Sequence, residues 1–369
     1  MSAEVFFSAT KGHLRSVKNY RPGKPLEELE REQGIRHAVK MASNENALGP
    51  SPKAVLAMRR ALTHTHRYPD GWCFFLRRRL SRFLKVPAES LVFGNGSDEL
   101  LVFAARAFVS ESDEVIIADP TFLIYEIACS VENARVVRVP MKNFHYDLQA
   151  MAGKINERTK LIFIANPDNP VGTYVNEKAL RVFLTRVPGD VAVVLDEAYY
   201  EFGRIKKDYP DSLKLLKDFP NLVVTRTFSK AYGLAGLRIG YSVSSEEIAG
   251  ALNKVREPFN VNLLAQEAAV AALDDKTHVA KTVRLVNAGR EWLTKELRHL
   301  GLRCVDTVAN FILFDLKREA GPVYEKLLTL GVIVRPMGSW GLKTFMRVTI
   351  GTASDNRQFL HALKTALKQ

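Results

Sequence analysis

The sequence predicts an α/β fold in which a mainly parallel sheet is covered by helices, with a smaller α+β unit after it. Between about residues 90 and 245, short apolar runs alternate with helical stretches, as in sheets whose parallel strands are joined by crossover helices. From about residue 260 the pattern changes to long amphipathic helices, then short strands and a last helix. A chain of 369 residues is long enough for both units.

The predicted elements follow one another along the chain. The first 40 residues contain Pro22 and Pro25 and read as an arm that leads into a short helix, "PLEELEREQG". The predicted strands of the large sheet are "LVFG", "EVIIAD", "ARVVRV", "LIFIAN", "VAVVLDEA", "NLVVTRTF" and "LRIGYSV". Those of the later unit are "FILFDL", "VIVRPM" and "FMRVTI". We predict an arm and helix over residues 1–45 that join the small domain, a large domain over 46–258 and the small domain over 259–369.

Composition narrows the class of protein. Hydrophobic residues make up 47% and charged residues 25%, as in ordinary globular proteins. No apolar stretch approaches the roughly 20 residues of a membrane helix, and the start lacks the apolar core of a signal peptide. The three cysteines, Cys73, Cys129 and Cys304, have neither a metal-binding spacing nor an even number for a disulfide framework. We therefore expect a cytoplasmic protein with no membrane span and no metal site.

The formal net charge of +13 is open to several interpretations, among them a nucleic-acid surface, an anionic ligand and solubility. The densest basic run, "LRRRLSRFLK" at residues 76–85, has its apolar residues at helical spacing, so its arginines belong to the solvent face of an amphipathic helix. No helix-turn-helix or RNA-binding signature accompanies the charge. We expect no nucleic-acid partner.

Chemically useful side chains follow three of the predicted strands. Asn169 lies beyond "LIFIAN", Asp196 and Tyr199 follow "VAVVL", and Lys230 and Arg238 follow "NLVVTRTF". The carboxyl ends of strands in an open α/β sheet border the ligand crevice, so these side chains should meet there.

A phosphate site is predicted at the same edge of the sheet. "LVFGNGSDELLVFAARAF" reads as a strand, a glycine-rich turn and a helix, which would expose the amides around Gly96, Ser97 and Asp98 at a helix N-terminus. Thr227 and Ser229 lie beside Lys230 in the sequence. An amine, an acid, a phenol, an amide and a phosphate cradle are the groups required by a cofactor that combines an aldehyde, a pyridine ring and a phosphate.

The sequence resembles a known family, the fold-type-I pyridoxal-phosphate aminotransferases, and within it the histidinol-phosphate aminotransferases. The resemblance covers nearly the whole chain, and its stretches occur in the family order: "YRPGKPLEELEREQG", "MASNENALGPSP", "RYPDG", "NPDNPVGT", "DEAYYEF", "TFSKAYGLAGLRIGY", "VIVRPM" and "MRVTIGT". It implies that family's fold, with a large seven-stranded sheet and a small domain. It also implies pyridoxal 5'-phosphate as the cofactor.

The resemblance assigns roles to the residues at the strand ends. Lys230 is implied to bond covalently with the cofactor aldehyde and to move a proton once the substrate amine has displaced it. Asp196 is implied to keep the pyridine nitrogen protonated, which makes the ring an electron sink. Asn169 and Tyr199 are implied to form hydrogen bonds with the phenolic oxygen of the ring.

Further positions match the family around the rest of the cofactor. Phe122, in "DPTFLIY", matches the aromatic residue that stacks on the ring. Tyr68, in "RYPDG", matches a tyrosine that reaches the cofactor phosphate of the neighbouring subunit, which implies a homodimer with shared active sites. The positions that match the phosphate site are Gly96, Ser97, Asp98, Thr227, Ser229 and Arg238.

For the substrate, the resemblance points to three residues. Arg347, in "MRVTIGT", matches the arginine that binds the substrate anion, and Arg335 and Tyr20 are candidates for the same end of the site. Two stretches depart from the subgroup: Val171 replaces the threonine of Asn-Pro-Thr-Gly, and Ala47 replaces the proline of Asn-Glu-Asn-Pro. Neither departure removes a side chain assigned to the chemistry.

Three functions stay open at the level of the sequence. The preferred one is reversible amino transfer between L-histidinol phosphate and 2-oxoglutarate in histidine biosynthesis. The second is another enzyme on the same fold, either an aromatic-amino-acid aminotransferase or a phosphothreonine-type decarboxylase. The third, a non-catalytic cofactor-binding regulator, is disfavoured because Lys230, Asp196 and Tyr199 are present and the chain has no length for an added DNA-binding domain.

Overall fold

The computed structural model describes residues 9–20, 22–35 and 37–368. Its strands are β1 (Val39–Lys40), β2 (Leu91–Gly94), β3 (Glu114–Asp119), β4 (Arg135–Pro140), β5 (Thr159–Ala165), β6 (Ala192–Asp196), β7 (Leu222–Thr227), β8 (Gly240–Val243), β9 (Arg303–Cys304), β10 (Phe311–Asp315), β11 (Val332–Ile333), β12 (Arg335–Pro336) and β13 (Phe345–Thr349).

The helices include long amphipathic ones in both halves of the chain. They are α1 (Leu26–Gln33), α2 (Pro52–Ala61), α3 (Phe74–Leu84), α4 (Ser97–Phe108), α5 (Leu123–Val131), α6 (Leu148–Ala152), α7 (Glu177–Leu184), α8 (Tyr200–Gly203), α9 (Ser212–Leu215), α10 (Glu246–Lys254), α11 (Leu263–Leu273), α12 (Lys276–His299), α13 (Ala320–Thr329) and α14 (Ala353–Leu367). In α3, Leu76 and Leu80 are buried whereas Arg78 and Arg82 are exposed, as the spacing of the basic run predicts.

The large sheet has seven strands in the order β2-β8-β7-β6-β5-β3-β4. The five neighbours from β7 to β4 are parallel, and β8 runs antiparallel to both β7 and β2. The predicted fold class, a mainly parallel sheet covered by helices, is therefore confirmed. Every residue of β6 and β7 is buried, which explains why these strands read as continuous apolar runs rather than alternating ones.

Both faces of this sheet are covered. Phe163 and Val194 pack with α4 and α5 on one face, whereas Ile162 and Val193 pack with α6 and α7 on the other. Successive residues of a strand point to opposite faces, so neighbouring residues contribute to different cores. Polar side chains at the carboxyl ends of the strands are divided between the two faces in the same way.

The C-terminal part contains an antiparallel four-stranded sheet in the order β12-β13-β10-β9. Its core includes Phe311, Phe314 and Phe359, the last from α14. The segment before the large sheet joins this part, because β1 pairs in parallel with β11. The domain boundaries at residues 45 and 258 stay predictions. In the structure α11, which follows the second boundary, packs against α2 and α3.

No helix among residues 9–20, 22–35 and 37–368 is long and apolar enough to cross a membrane. The same residues contain no cluster of three or more histidine, cysteine or acidic side chains placed to hold a metal ion.

Candidate active site

A cavity of about 240 Å³ lies at the carboxyl ends of β5, β6 and β7. It brings together most of the residues singled out in the sequence. The ones that line it are Tyr20, Ser97, Asp98, Phe122, Asn169, Asp196, Tyr199, Thr227, Ser229, Lys230, Arg238, Arg335 and Arg347. Gly96 and Tyr68 are not in this lining and are described separately below.

Lys230 lies in the turn after β7, where its side chain enters the cavity. Its Nζ donates a hydrogen bond to the backbone oxygen of Ser43 (3.2 Å) and lies 5.7 Å from the ring centre of Tyr199. Burial, with the nearby positive charge of Arg347, lowers the pKa of Lys230 to about 8. A substantial fraction of the amine is therefore neutral near pH 8, the form that attacks a carbonyl carbon.

Asp196 ends β6 and is only 5% exposed. One carboxylate oxygen accepts a hydrogen bond from the hydroxyl of Tyr125 (2.8 Å) and the other from the backbone amide of Ala198 (3.1 Å). Burial raises the pKa of Asp196 to about 6. None of the described residues forms an ion pair with it, so the environment favours a cationic partner inside the cavity.

Tyr199 is held by a residue that the sequence analysis did not select. The amide nitrogen of Asn44 donates to the Tyr199 hydroxyl (2.9 Å), and the amide oxygen of Asn44 accepts from the Thr349 hydroxyl (3.1 Å). Burial raises the pKa of Tyr199, so the phenol stays protonated at neutral pH. Asn44 lies in the "NENA" stretch that marks the family, a signal that could have selected it.

Phe122 and Tyr125 form an aromatic pair beside Asp196. Phe122 precedes the first residue of α5, and its ring packs edge-to-face on that of Tyr125 with centres 5.7 Å apart. Sequence reasoning selected Phe122 and missed Tyr125, although Tyr125 is three residues further on in the same quoted stretch. Because its hydroxyl bonds Asp196, Tyr125 orients the carboxylate as well as packing against Phe122.

The predicted phosphate cradle is formed at the start of α4. Gly96 has φ +87°, and a Cβ at this position would collide with the guanidinium of Arg238. The Arg238 guanidinium lies 3.3 Å from a carboxylate oxygen of Asp98 and 3.5 Å from the hydroxyl of Ser229. Free amides at a helix N-terminus, a guanidinium and hydroxyl groups together favour a phosphate at this position.

Two arginines lie at the other end of the cavity. Arg335 and Arg347 are register partners across β12 and β13, and both are buried. Arg347 donates to the side-chain oxygen of Asn169 and to the backbone oxygen of Ala42 (3.0 Å), while its Nε has no hydrogen-bond partner among the described residues. Burial lowers the pKa of Arg347, and the neighbouring Arg335 charge contributes. This end of the cavity favours an anion.

Aromatic rings border the same end. The Arg335 guanidinium lies 5.5 Å from the Trp340 ring centre and 6.0 Å from that of Tyr20. Tyr20 is 42% exposed and therefore reaches the cavity from its outer side.

Tyr68 is far more exposed than any of these residues, at 84%, and its ring stacks on Phe259 with centres 4.9 Å apart. It does not reach the cavity of its own chain. Trp72, Phe74 and Phe75, which follow Tyr68 closely in the sequence, are also more than half exposed.

Comparison with known proteins identifies this arrangement. Residues 36–363 match the family described as aminotransferase class I and II. A histidinol-phosphate aminotransferase of Moorella thermoacetica is 49% identical over 96% of this chain and 92% of its own, and one of Nitrosococcus oceani is 47% identical over 100% of both chains. The crystal structure of histidinol-phosphate aminotransferase from Sinorhizobium meliloti in complex with pyridoxal-5'-phosphate superposes with a TM-score of 0.91 at 28% identity, covering 99% of each chain. The chain belongs to the class I and II aminotransferases, in the group of the histidinol-phosphate aminotransferases.

Proposed function

We propose that this enzyme transfers an amino group reversibly between L-histidinol phosphate and 2-oxoglutarate, giving imidazole acetol phosphate and glutamate, as a step of histidine biosynthesis. The observation that carries the proposal is the placement of two buried arginines, Arg335 and Arg347, at one end of a cavity that also contains Lys230. Relatives at 47–49% identity bear the name of this activity.

The cavity fits pyridoxal 5'-phosphate. The N-terminus of α4, where a side chain at Gly96 would fill the space beside Arg238, suits the phosphate. Asp196, a buried carboxyl without a cationic partner among the described residues, suits a protonated ring nitrogen. When bound, the cofactor supplies an aldehyde that takes up the substrate amine and a pyridine ring that withdraws electrons from the reacting carbon.

Each end of the cofactor has its own set of residues. Asn169 and Tyr199 suit the phenolic oxygen of the ring, and Phe122 suits its face. The residues that would hold the phosphate are Gly96, Ser97, Asp98, Thr227, Ser229 and Arg238.

The protein's own part in the reaction is to hold and move protons. The Lys230 amine, with its pKa lowered to about 8, would hold the cofactor at its aldehyde and, once free, would carry the proton that leaves the substrate carbon. Asp196 would keep a proton on the ring nitrogen through its negative charge. Asn44 orients Tyr199 and Tyr125 orients Asp196, so the two groups that would contact the ring are fixed before it binds.

Substrate choice follows from charge. A phosphate dianion in a partly dehydrated pocket needs several charged donors, whereas the carboxylate of an aromatic amino acid needs one arginine. Arg347 with Arg335 and Tyr20 supplies such a set, and the same arginines suit the carboxylates of 2-oxoglutarate. This favours histidinol phosphate over the aromatic-amino-acid alternative.

We predict that kcat/KM for histidinol phosphate exceeds that for phenylalanine or tyrosine by at least about tenfold, a difference of roughly 1.4 kcal/mol in transition-state binding. Arg347→Ala should abolish most activity with both substrates. Arg335→Ala should lower activity with histidinol phosphate more than with phenylalanine, because the second donor serves chiefly the dianion. The measurement is a panel of amino donors with 2-oxoglutarate as acceptor. Phosphothreonine, which unlike histidinol phosphate has a carboxylate to lose, is included, and release of carbon dioxide is followed in every sample.

Arg298→Ala is the matched control, since this arginine pairs with Asp306 on the surface and should leave the selectivity unchanged. Equal efficiencies for histidinol phosphate and phenylalanine would instead favour an aromatic aminotransferase. Carbon dioxide released in step with turnover would favour a decarboxylase, and lack of any turnover would favour a regulator.

We further propose a homodimer in which Tyr68 of each subunit completes the phosphate site of the other. The support is the exposure of large apolar side chains near Tyr68: Phe259 stacks on it, and Trp72, Phe74 and Phe75 follow it in the sequence and are more than half exposed. A two-fold interface brings the same patch of both subunits together. A cytoplasmic location is also proposed, because Cys73, Cys129 and Cys304 are free thiols, the form that a reducing compartment preserves.

Mixing two defective variants tests the shared site. Lys230→Ala chains should be inactive and Tyr68→Phe chains weakened, but their heterodimer has one site with both changes and one with neither. After subunit exchange, activity should rise to about a quarter of wild type per chain, because about half the dimers are mixed and one of their two sites is intact. A mixture whose activity stays at the average of its parents would contradict the proposal.

A further inference from the structure

A second cavity, of about 1230 Å³, lies apart from the candidate active site. The two are separated by strand β7: Thr227 lines the candidate active site and Arg226 lines the second cavity. Adjacent strand residues point to opposite faces of a sheet, so the two cavities open on different sides of β7. The residues that line the second cavity take no part in the amino transfer proposed above.

The walls of the second cavity are mostly apolar. They come from the end of α3 and the loop after it, from the region of α9, and from the first half of α12. The apolar side chains that line it are Leu84, Val86, Leu213, Leu216, Val279 and Val283. A cavity of this size with apolar walls and a few polar groups has the character of a site for a small organic molecule.

One acidic side chain faces the interior. Glu201 of α8 lines the cavity and is 8% exposed, and no other described residue donates a hydrogen bond to its carboxyl group or forms an ion pair with it. The nearby Arg226 is already bonded to Glu197 and Ser212. The backbone N–H of Glu201 itself donates to the carboxyl group. Further acceptor positions on this buried group stay open, and a hydrogen-bond donor on a ligand would satisfy one of them.

Burial raises the pKa of Glu201 to about 7. The positive charges of Arg226 and Arg204 lower this pKa by less than burial raises it, so the group holds a proton for part of the time near neutral pH.

The rim of the cavity is strongly basic. Its exposed cations form no ion pair with any carboxylate of the described residues, whereas the acidic rim residue, Asp211, is already paired with Lys214. These cations are Lys85, Arg204, Lys217, Lys276 and Arg284. Positive charges grouped around the mouth of an apolar cavity attract an anionic group and hold it at the surface.

We propose that this cavity is a second ligand site, which takes a small organic anion with an apolar body and a hydrogen-bond donor at its inner end. The donor reaches Glu201, the body packs on the apolar walls, and the anion stays among the cations of the rim. The site goes beyond amino transfer and does not depend on which amino acid the enzyme uses. Its floor belongs to α8, the helix that follows Tyr199 directly, so an occupant contacts a segment next to the candidate active site.

The probe is 6-anilinonaphthalene-2-sulfonate, whose N–H donor and sulfonate lie at opposite ends of an apolar naphthalene ring. We expect saturable fluorescence enhancement with one site per chain on the enzyme loaded with its cofactor and saturated with 2-oxoglutarate, so that the active site is occupied. The affinity should fall as salt is raised from low to physiological concentration, because rim charges at the surface are screened within about 8–10 Å.

Three variants locate the bound probe. Lys217→Gln, Lys276→Gln and Arg284→Gln together should weaken binding by at least about tenfold, since three charges are removed from the rim. The control with the same change of charge replaces exposed lysines outside the cavity by glutamine, at Lys281, Lys295 and Lys364. Val283→Trp should weaken binding by occupying part of the apolar wall on which the probe packs, and Glu201→Leu should weaken it several-fold, about the value of one hydrogen bond.

Circular dichroism and amino transfer of each variant report whether it has folded. The absence of saturable binding to the wild type would overturn the proposal. So would equal weakening by the rim and control triple variants, or full binding to folded Val283→Trp. Loss of amino transfer in the wild type would contradict the proposed function and leave this test of the second cavity intact.

Discussion

Replacing Lys230 by alanine is expected to lower amino transfer by about 10²–10⁴-fold or more, the range associated with loss of a positioned proton carrier. The methyl group of alanine can neither bond the cofactor aldehyde nor take the proton from the substrate carbon. The phosphate cradle at Gly96 and Arg238 is unchanged, so the variant should still bind pyridoxal 5'-phosphate noncovalently. Steady-state turnover and equilibrium dialysis of the cofactor measure the two properties separately.

Lys206→Ala is the control for this variant, because Lys206 is exposed and lies outside the cavity. It should retain wild-type turnover. Activity of Lys230→Ala within tenfold of wild type would show that another group carries the proton.

Replacing Asp196 by asparagine is expected to lower turnover by about 10²–10³-fold, as for removal of one preorganised electrostatic partner. The amide has nearly the same shape and can still accept a hydrogen bond from Tyr125, but it lacks the charge that keeps the ring nitrogen protonated. Each tenfold loss corresponds to about 1.4 kcal/mol of barrier. Cofactor affinity should fall less than turnover, which separates an electronic role from one in binding.

Asp208→Asn, at an exposed position outside the cavity, serves as the comparison and should have no effect. If Asp196→Asn kept turnover within about threefold of wild type, a difference below 1 kcal/mol, Asp196 would not be the partner of the ring nitrogen.

The sequence predicts the large sheet well because β6 and β7 are buried on both faces and read as unbroken apolar runs. It does not predict the direction of β8. Residues 228–239, between β7 and β8, form the turn around Lys230 and a short 3-10 helix instead of a crossover helix, and β8 therefore returns antiparallel. A functional turn in this connection thus changed the topology locally.

Side chains at the ends of strands were predictable, because the edge of a parallel sheet gathers them from distant parts of the chain. Asn44 and Tyr125 were not selected, since each acts through a partner. The Asn44 amide donates a hydrogen bond to Tyr199, and the Tyr125 hydroxyl donates one to Asp196. Such pairs depend on tertiary contacts between segments 155 and 71 residues apart in sequence. Tyr68 was selected by resemblance alone. It is exposed and does not line the candidate active site of its own chain.

The second cavity could not have been foreseen for the same physical reason. Its walls come from α3, α9 and α12, whose apolar residues read in the sequence as ordinary core faces. Glu201, in "DEAYYEF", lies in a stretch that the resemblance explains through Asp196 and Tyr199. Only the tertiary packing reveals that the carboxyl group of Glu201 lies in the second cavity, away from Asp196 and Tyr199.

The central claim is that Lys230 is the amine that binds the cofactor, and reduction with borohydride followed by peptide mapping tests it most directly. The loaded enzyme should absorb visible light, lose this absorbance on reduction, and retain one cofactor per chain attached irreversibly to Nζ of Lys230. The rate at which the cofactor-free enzyme forms this bond should rise with pH around the pKa of about 8, because the neutral amine is the reactive form. Recovery of the reduced cofactor on any other lysine would contradict the account.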